Sequence, residues 1–364
     1  MIMSRRAFLS KSSAFVIGGS TAVLAPAALA QTENVRWRCA SSFPKSVDTL
    51  FGTAELITRR VAQITAGKFQ ISMHAAGEIV PPLQVLDAVE KGTIECNHTA
   101  PYYFIGKDPA WAFGTCIPFG LNSRQHNAWW IHGDGEKVFN EFSRQFGVVN
   151  LLAGNTGAQM AGWFKKEIKT LADLKGLKFR TGGMGGQVLT KLGVVTQQLP
   201  AGEIYSALEK GTIDAAEFTV PHDDEKLGLN KIAKYYYYPG WNEGGAALAF
   251  QVNAKAWDAL PEEYRFALQS ACAEANTWMQ AKYDALNPIA LKRLIQGGAQ
   301  LRAYPPAVMD ACYKATQELI NETNMKSASF KKIYTHMSTF QRDQQAWFRV
   351  AEASFDNFMY KQKL

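Results

Sequence analysis

Ala88-Val89-Glu90-Lys91-Gly92-Thr93-Ile94-Glu95 returns as Ala207-Leu208-Glu209-Lys210-Gly211-Thr212-Ile213-Asp214, displaced by a constant 119 residues. Each copy reads as the end of a helix, a glycine at the helix stop, and then an extended run. The spacing is far too long for a solenoid period, so the chain contains two similar α/β halves rather than an array of small repeats. Two such halves on one chain face each other across a cleft, and ligands of open α/β sheets sit just beyond the strand ends. The residues that follow the two copies, His98 to Tyr103 and Glu217 to His222, are therefore the first place to look for a site.

Outward from the repeat, the pattern keeps alternating. Val35 to Ser42 reads as a strand, Thr49 to Thr65 as an amphipathic helix stopped by Gly67, Phe69 to His74 as a strand, and Pro82 to Lys91 as a helix. Further on, Val148 to Ala153 and Leu177 to Arg180 read as strands. Leu171 to Leu174 reads as a helical turn, and Gln187 to Leu192 and Ile204 to Lys210 as helices. The fold class is thus alternating α/β. From Pro261 to about Ile295 a single long helix is predicted, carrying Phe266, Leu268, Cys272, Ala275 and Met279, with a kink at Pro288. Pro306 to Phe358 reads as further helix. The Tyr235 to Tyr238 run is expected to alternate between core and surface.

The first thirty residues differ in kind. Ser4-Arg5-Arg6-Ala7-Phe8-Leu9, Lys11 and an apolar run ending in Ala28-Leu29-Ala30 form a twin-arginine export signal, with cleavage expected after Ala30 and a periplasmic destination. Gly18, Gly19, Ser20, Thr21 and Pro26 interrupt the apolar run, which argues against a membrane anchor. Removing this segment takes away Arg5, Arg6 and Lys11 and lowers the net charge from +7 to +4. The cations form no stripe, which argues against nucleic acid as a partner. The five cysteines include no CxxC and are read mainly as buried thiols, with room for one disulfide.

Among chemistry-bearing residues, Arg180 stands at a strand end before Thr181-Gly182-Gly183-Met184-Gly185-Gly186, the arrangement that bidentate capture of a carboxylate requires. Glu217 follows an apolar strand, where a carboxylate needs a cation or a donor. Gln159 ends the loop Gly154-Asn155-Thr156-Gly157-Ala158-Gln159, and together with Glu217 and main-chain carbonyls it suits a hard cation, Na⁺ or Ca²⁺, rather than zinc. Phe43, Tyr102, Tyr103, Phe218 and Trp241 offer aromatic walls, and His98 and His222 offer hydrogen-bond donors facing the cleft. No HExxH, GxSxG or Cys/His pair supports an enzyme, although a periplasmic metalloenzyme is the rival reading for a chain with this signal.

With these residues in hand, the mature chain resembles, almost end to end, the solute-binding proteins of tripartite ATP-independent periplasmic (TRAP) transporters, and within them the 2-oxo-acid binders. The resemblance is carried by Ala40-Ser41-Ser42-Phe43-Pro44-Lys45, Gly154 to Met160, Leu171 to Arg180, Ala207 to Asp214 with Glu217, Asp223-Asp224-Glu225-Lys226-Leu227-Gly228, and Tyr236-Tyr237-Tyr238-Pro239-Gly240-Trp241. It implies a two-lobe clamshell with a long C-terminal helix spanning both lobes. The expected boundaries are 1–30 for the signal, 31–152 and 153–252 for the lobes, and 253–364 for the bracing helices. Arg180 would hold the carboxylate of a small 2-oxo monocarboxylate such as pyruvate or 2-oxobutyrate. Gln159, Glu217 and the carbonyl of Phe218 would ligate the cation, and Asn155, Tyr102 and Glu243 would complete the shell, Glu243 on the cation side. Lactate or a larger organic acid are the alternative ligands. The implied partners are integral-membrane permease subunits and a second copy of the chain, bound by helix exchange. Relatives commonly carry Trp at the position of Phe218 and Tyr at that of His222, which bears on pocket size.

Overall fold

The computed structural model describes residues 34–362, so the export signal lies outside the described residues. In chain order the elements are β1 (Val35–Ser41), α1 (Leu50–Ile64), β2 (Phe69–His74), α2 (Val85–Glu90), β3 (Cys96–Thr99), α3 (Ser123–His132), α4 (Gly135–Ser143) and β4 (Val148–Asn155). There follow β5 (Gly162–Phe164), β6 (Lys178–Arg180), α5 (Gly183–Lys191), β7 (Val195–Gln197), α6 (Ala201–Glu209), β8 (Ala215–Ala216), α7 (Pro221–Leu227) and β9 (Tyr235–Tyr238). The chain closes with β10 (Ala247–Asn253), α8 (Ala254–Ala259), α9 (Glu262–Gln296), β11 (Gln300–Ala303), α10 (Pro306–Lys326), α11 (Ala328–Val350) and α12 (Glu352–Met359).

Two sheets result, ordered β2-β1-β3-β10-β4 and β11-β9-β5-β8-β6-β7. In the first, β1 runs parallel to both β2 and β3; in the second, β6 runs parallel to both β7 and β8. An antiparallel strand then joins each trio, β10 beside β3 and β5 beside β8. The repeated octapeptide is the α2-to-β3 passage of one half and the α6-to-β8 passage of the other. Its hydrogen bonds repeat as well as its letters: Thr93 N–H to Ala88 O at 2.9 Å matches Thr212 N–H to Ala207 O at 3.0 Å. Gly92 and Gly211 adopt φ of +68° and +72°, the left-handed conformation that ends a helix without a Cβ penalty.

The sheets do not follow the sequence halves. β10 lies within the stretch expected to form the second lobe, yet it pairs with β3 and β4, so the chain returns to the first sheet before α9 begins. The Tyr235–Tyr238 strand also differs from simple alternation. Tyr236 and Tyr237 are consecutive and both buried, because both faces of that strand are covered: Tyr236 stacks on Trp163 at 3.9 Å and Tyr237 packs against Phe164 and Tyr304. All five cysteines are free and buried.

The long helix is one continuous element of 35 residues with Pro288 inside it. It packs on α1, β4 and α7, turning Tyr264, Leu268, Cys272, Ala275, Met279 and Tyr283 inward. Phe266, predicted on that face, is instead exposed. No helix among the described residues is long and apolar enough to cross a membrane.

The halves meet at the glycine turn after β6. Gly183 has φ of +58°, and a Cβ there would collide with the ring of Tyr102, which leans across from the first half. Gly183→Ala therefore combines backbone strain with overpacking and should lower stability by about 1–3 kcal/mol. The check is a lower urea midpoint at unchanged m-value; an unchanged midpoint would mean that Tyr102 moves aside freely.

Candidate functional site

The C-terminal ends of the parallel strands, together with the two passages that connect the sheets, bring most of the sequence-nominated residues together. Arg180 ends β6 and Glu217 follows β8, its N–H bonded to the carbonyl of Arg180 at 2.9 Å. Asn155 ends β4, and Gln159 lies in the passage from β4 to β5. Trp241 and Glu243 lie in the return passage from β9 to β10, and Gln159 N–H donates to the carbonyl of Glu243 at 3.1 Å. Tyr102 follows β3 and is buried, and the Glu243 carboxylate accepts from Asn242 Nδ2 at 3.4 Å.

Arg180 is completely buried, the only buried lysine or arginine among the described residues. Its Nε donates to the carbonyl of Leu199 at 3.0 Å and one Nη donates to the carbonyl of Glu217. The same Nη lies 3.5 Å from the Glu217 carboxylate, and the guanidinium rests over the Phe218 ring at 5.4 Å. Thr181 Oγ1 donates to that same carboxylate oxygen, Glu217 Oε2, at 3.2 Å. The Asn155 side-chain oxygen is committed to Gly157 N–H at 2.9 Å, and the Gln159 amide nitrogen to Thr156 Oγ1 at 3.1 Å.

These commitments leave a specific set of buried atoms without partners: Arg180 Nη2, Asn155 Nδ2, Gln159 Oε1, Glu217 Oε1 and Glu243 Oε2. Two are donors and three are oxygen acceptors. Buried polar groups are nearly always bonded, so five on one constellation mark a place built for something else. The donors suit an anion, and an all-oxygen acceptor set suits a hard cation.

The electrostatics point the same way. Burial pushes Glu217 up to about 7, against the pull of Arg180. Burial, reinforced by the charge of Glu217, holds Glu243 well above the carboxylate range. One guanidinium thus faces two carboxylates that repel each other, and a cation beside them would relieve that repulsion.

The remaining nominated residues divide. Phe43 packs edge-on to His98 at 5.9 Å and on Tyr103 at 6.4 Å, forming a wall of the first half. His98 is buried with Nε2 3.1 Å from the carbonyl of Ala153, and burial lowers it to about 4, a neutral imidazole. Trp241 lies flat against Phe119. His222 stands apart from the unpartnered atoms. Its Nε2 is 3.0 Å from Asp48 of the β1–α1 loop, a carboxylate that also receives Lys226 and, at 3.0 Å, Lys282. Asp48, His222 and Asp223 are close enough to suggest a metal cluster, but the two ammonium groups already compensate Asp48, which is drawn far below the carboxylate range despite its partial burial.

Tyr103 and Thr181 were under-read from sequence. Tyr103 stacks on Tyr102 at 5.0 Å. The adjacency of Thr181 to Arg180, and of the two tyrosines to each other, was the available signal.

Residues 40–327 match the family described as bacterial extracellular solute-binding protein, family 7. The chain is 53% identical over 325 residues, 89% of each protein, to the monocarboxylate 2-oxoacid-binding periplasmic protein of Nostoc sp.. Among solved structures it resembles a TRAP transporter solute-binding protein from Bordetella bronchiseptica, at 52% identity and a TM-score of 0.89, covering 90% of this chain and 98% of that one. That protein is a mixed-occupancy dimer with copurified calcium and picolinate in its active site. It also resembles a TRAP periplasmic solute-binding protein from Pseudoalteromonas atlantica with bound sodium and pyruvate, at 34% identity and a TM-score of 0.87, covering 91% of this chain and all of the other.

The raised carboxylates make stability depend on pH. Folded Glu217 keeps its proton to about 7, whereas unfolded it loses it near 4.5, so between these values the native state holds more protons and stability falls as pH rises. Asp223, raised to about 7, and Asp224, raised to about 6, act in the same direction. The melting temperature of metal-depleted protein should therefore drop between about pH 5 and about pH 7.5, and Glu217→Gln should make that drop shallower. An identical slope in the variant would remove Glu217 from this account.

Proposed function

The chain belongs to family 7 of the bacterial extracellular solute-binding proteins, and from that premise we propose that it captures a small 2-oxo monocarboxylate of the pyruvate kind together with a sodium or calcium ion, and delivers it to the membrane subunits of a TRAP permease. The observation that carries this reading is the meeting of two unpartnered donors and three unpartnered oxygens in one buried place. Arg180 and Asn155 would take the carboxylate. Gln159, Glu217, the main-chain oxygen of Phe218 and Glu243 would take the cation, which also touches the 2-oxo oxygen. Tyr102, Tyr103, Phe43 and Phe218 enclose the apolar end of the ligand, with His98 behind Phe43. The chain's part is to bind and release; no step of bond making is included.

The lone buried arginine supports a monocarboxylate over a dicarboxylate, since a second carboxylate would enter without a cationic partner. Pyruvate and picolinate, each bound with a metal ion by one of the similar proteins, share a carboxylate next to a second neutral donor atom. That pair of atoms, rather than the ketone alone, is the recognised feature, and lactate offers a weaker version of it. With the carboxylates ionised, Glu217, Glu243, Asp224 and the ligand outweigh Arg180 by three negative charges, which a divalent ion offsets more fully than sodium does.

Export through the twin-arginine signal to the periplasm fits this role. So does pairing with a second copy: Trp347, Val350, Phe355 and Phe358 at the end of α11 and on α12 are all more than half exposed, an apolar surface that a homodimer would cover.

Thermal melting of the mature protein with pyruvate, 2-oxobutyrate, lactate and succinate, each with and without chelator, tests the reading. A rise of several degrees is expected for a short 2-oxo acid, larger with calcium than with sodium, and chelation should remove the calcium increment; no rise with any of these acids would refute it. Arg180→Lys keeps the charge and loses the fork, and should weaken pyruvate binding by roughly ten- to a hundredfold in calorimetry. Glu217→Gln should shift the preferred ion from calcium towards sodium, and an unchanged preference would exclude Glu217 as a ligand.

A further inference from the structure

The motif Asp223-Asp224-Glu225-Lys226 has no place among the ligand or cation contacts, yet two of its carboxylates are buried and none of its charges is idle. Asp223 accepts from Tyr283 at 2.5 Å, Glu225 pairs with Arg293 at 2.5 Å, and Lys226 pairs with Asp48. Asp224 is the one that reaches back towards the site. Its Oδ2 accepts from Trp163 Nε1 at 3.0 Å and from the Tyr236 hydroxyl at 2.7 Å, and its Oδ1 accepts from the main-chain N–H of Thr219 at 3.3 Å. Three donors from three different segments converge on one buried carboxylate.

The Thr219 N–H belongs to the same planar peptide unit as the carbonyl of Phe218, and in a trans peptide the two point in opposite directions. We propose that Asp224 is a positioning residue that aims the Phe218 carbonyl at the bound cation and strengthens it as a ligand. This rests on the reading above, in which that carbonyl coordinates the ion. The carboxylate fixes the rotation of the peptide plane by holding its N–H. It also polarises the amide, because hydrogen bonds in series strengthen one another at low dielectric, so electron density rises on the carbonyl oxygen. The next link holds the same segment from the other side: the carbonyl of Thr219 accepts from Met160 N–H at 3.1 Å, immediately after Gln159. Two cation-side ligands, Gln159 and Phe218, are therefore indexed to each other through Thr219, and Asp224 anchors that register to the second sheet through the Trp163–Tyr236 stack, whose rings lie 3.9 Å apart.

The experiment is calcium titration of the full mature chain, with pyruvate affinity measured at each free calcium level. Asp224→Asn keeps an acceptor for Thr219 but removes the charge that strengthens that bond and polarises the peptide, and should require roughly tenfold more calcium. Once calcium saturates, pyruvate affinity should return to within about twofold of the parent, because Arg180 is untouched. Tyr236→Phe keeps Asp224 and its bond to Thr219 and should stay within about threefold of the parent in calcium requirement. An Asp224→Asn curve that superimposes on the parent, or a Tyr236→Phe curve shifted as far as Asp224→Asn, would overturn the inference. If the parent itself binds pyruvate without regard to calcium, the cation reading fails instead.

A second readout needs no variant. Phe218-Thr219 is the only Phe-Thr pair in the chain, so ¹³C-carbonyl Phe with ¹⁵N-Thr gives a single correlated amide signal. Both its carbonyl and its amide proton should move on calcium addition. A signal unmoved at calcium levels that raise the melting temperature would overturn the proposal even if Asp224→Asn does not fold.

Discussion

One guanidinium enclosed with two carboxylates, with no other buried lysine or arginine among the described residues to share the charge, is the constraint around which the molecule is arranged. Taking ions out of water costs several kcal/mol each, and a single cation offsets only part of that for two anions. The structure meets the cost with short-range partners wherever it can: Thr181 donates to Glu217 and Asn242 to Glu243, and the main-chain carbonyls of Leu199 and Glu217 accept from Arg180. What these cannot neutralise is left as raised carboxylates and unpartnered atoms. Under the proposed reading, these same atoms would also make the site selective, since an anion and a hard cation together complete both sets.

Much of this was legible in the sequence because it is local. The repeat of Ala88–Glu95 at Ala207–Asp214 identified two α/β units, and the hydrogen bonds at Thr93 and Thr212 show why the letters repeat: both glycines close a helix in the same left-handed turn and launch a strand towards the site. Arg180 was legible from its strand end, and Glu217 from a carboxylate set after apolar residues. Glu243 was reached only through family resemblance, since Trp241-Asn242-Glu243-Gly244 has the composition of any surface turn and gives no sign that the chain folds back through the middle of the molecule.

What escaped the sequence was long-range. Nothing in Ala247–Asn253 says that it pairs with β3 and β4 rather than with the sheet just left, because register and partner are set by packing between segments far apart in the chain. His222 looked like a cleft residue from its place after the second repeat, yet one turn of α7 carries it to the rim, where Asp48 holds it. The same helix turns Asp223 and Asp224 inward and Glu225 and Lys226 outward to α9 and the β1–α1 loop.

The two passages between the sheets, one leaving β4 at Asn155 and one entering β10 at Ala247, lie side by side, and a register shift separates Ala247 from Ala249 at the point where they join the first sheet. These are also the segments that carry Asn155, Gln159, Trp241 and Glu243. The backbone that connects the two sheets is therefore the backbone that carries the proposed site, and a ligand seated there as proposed would touch the connection itself rather than surfaces on either side of it.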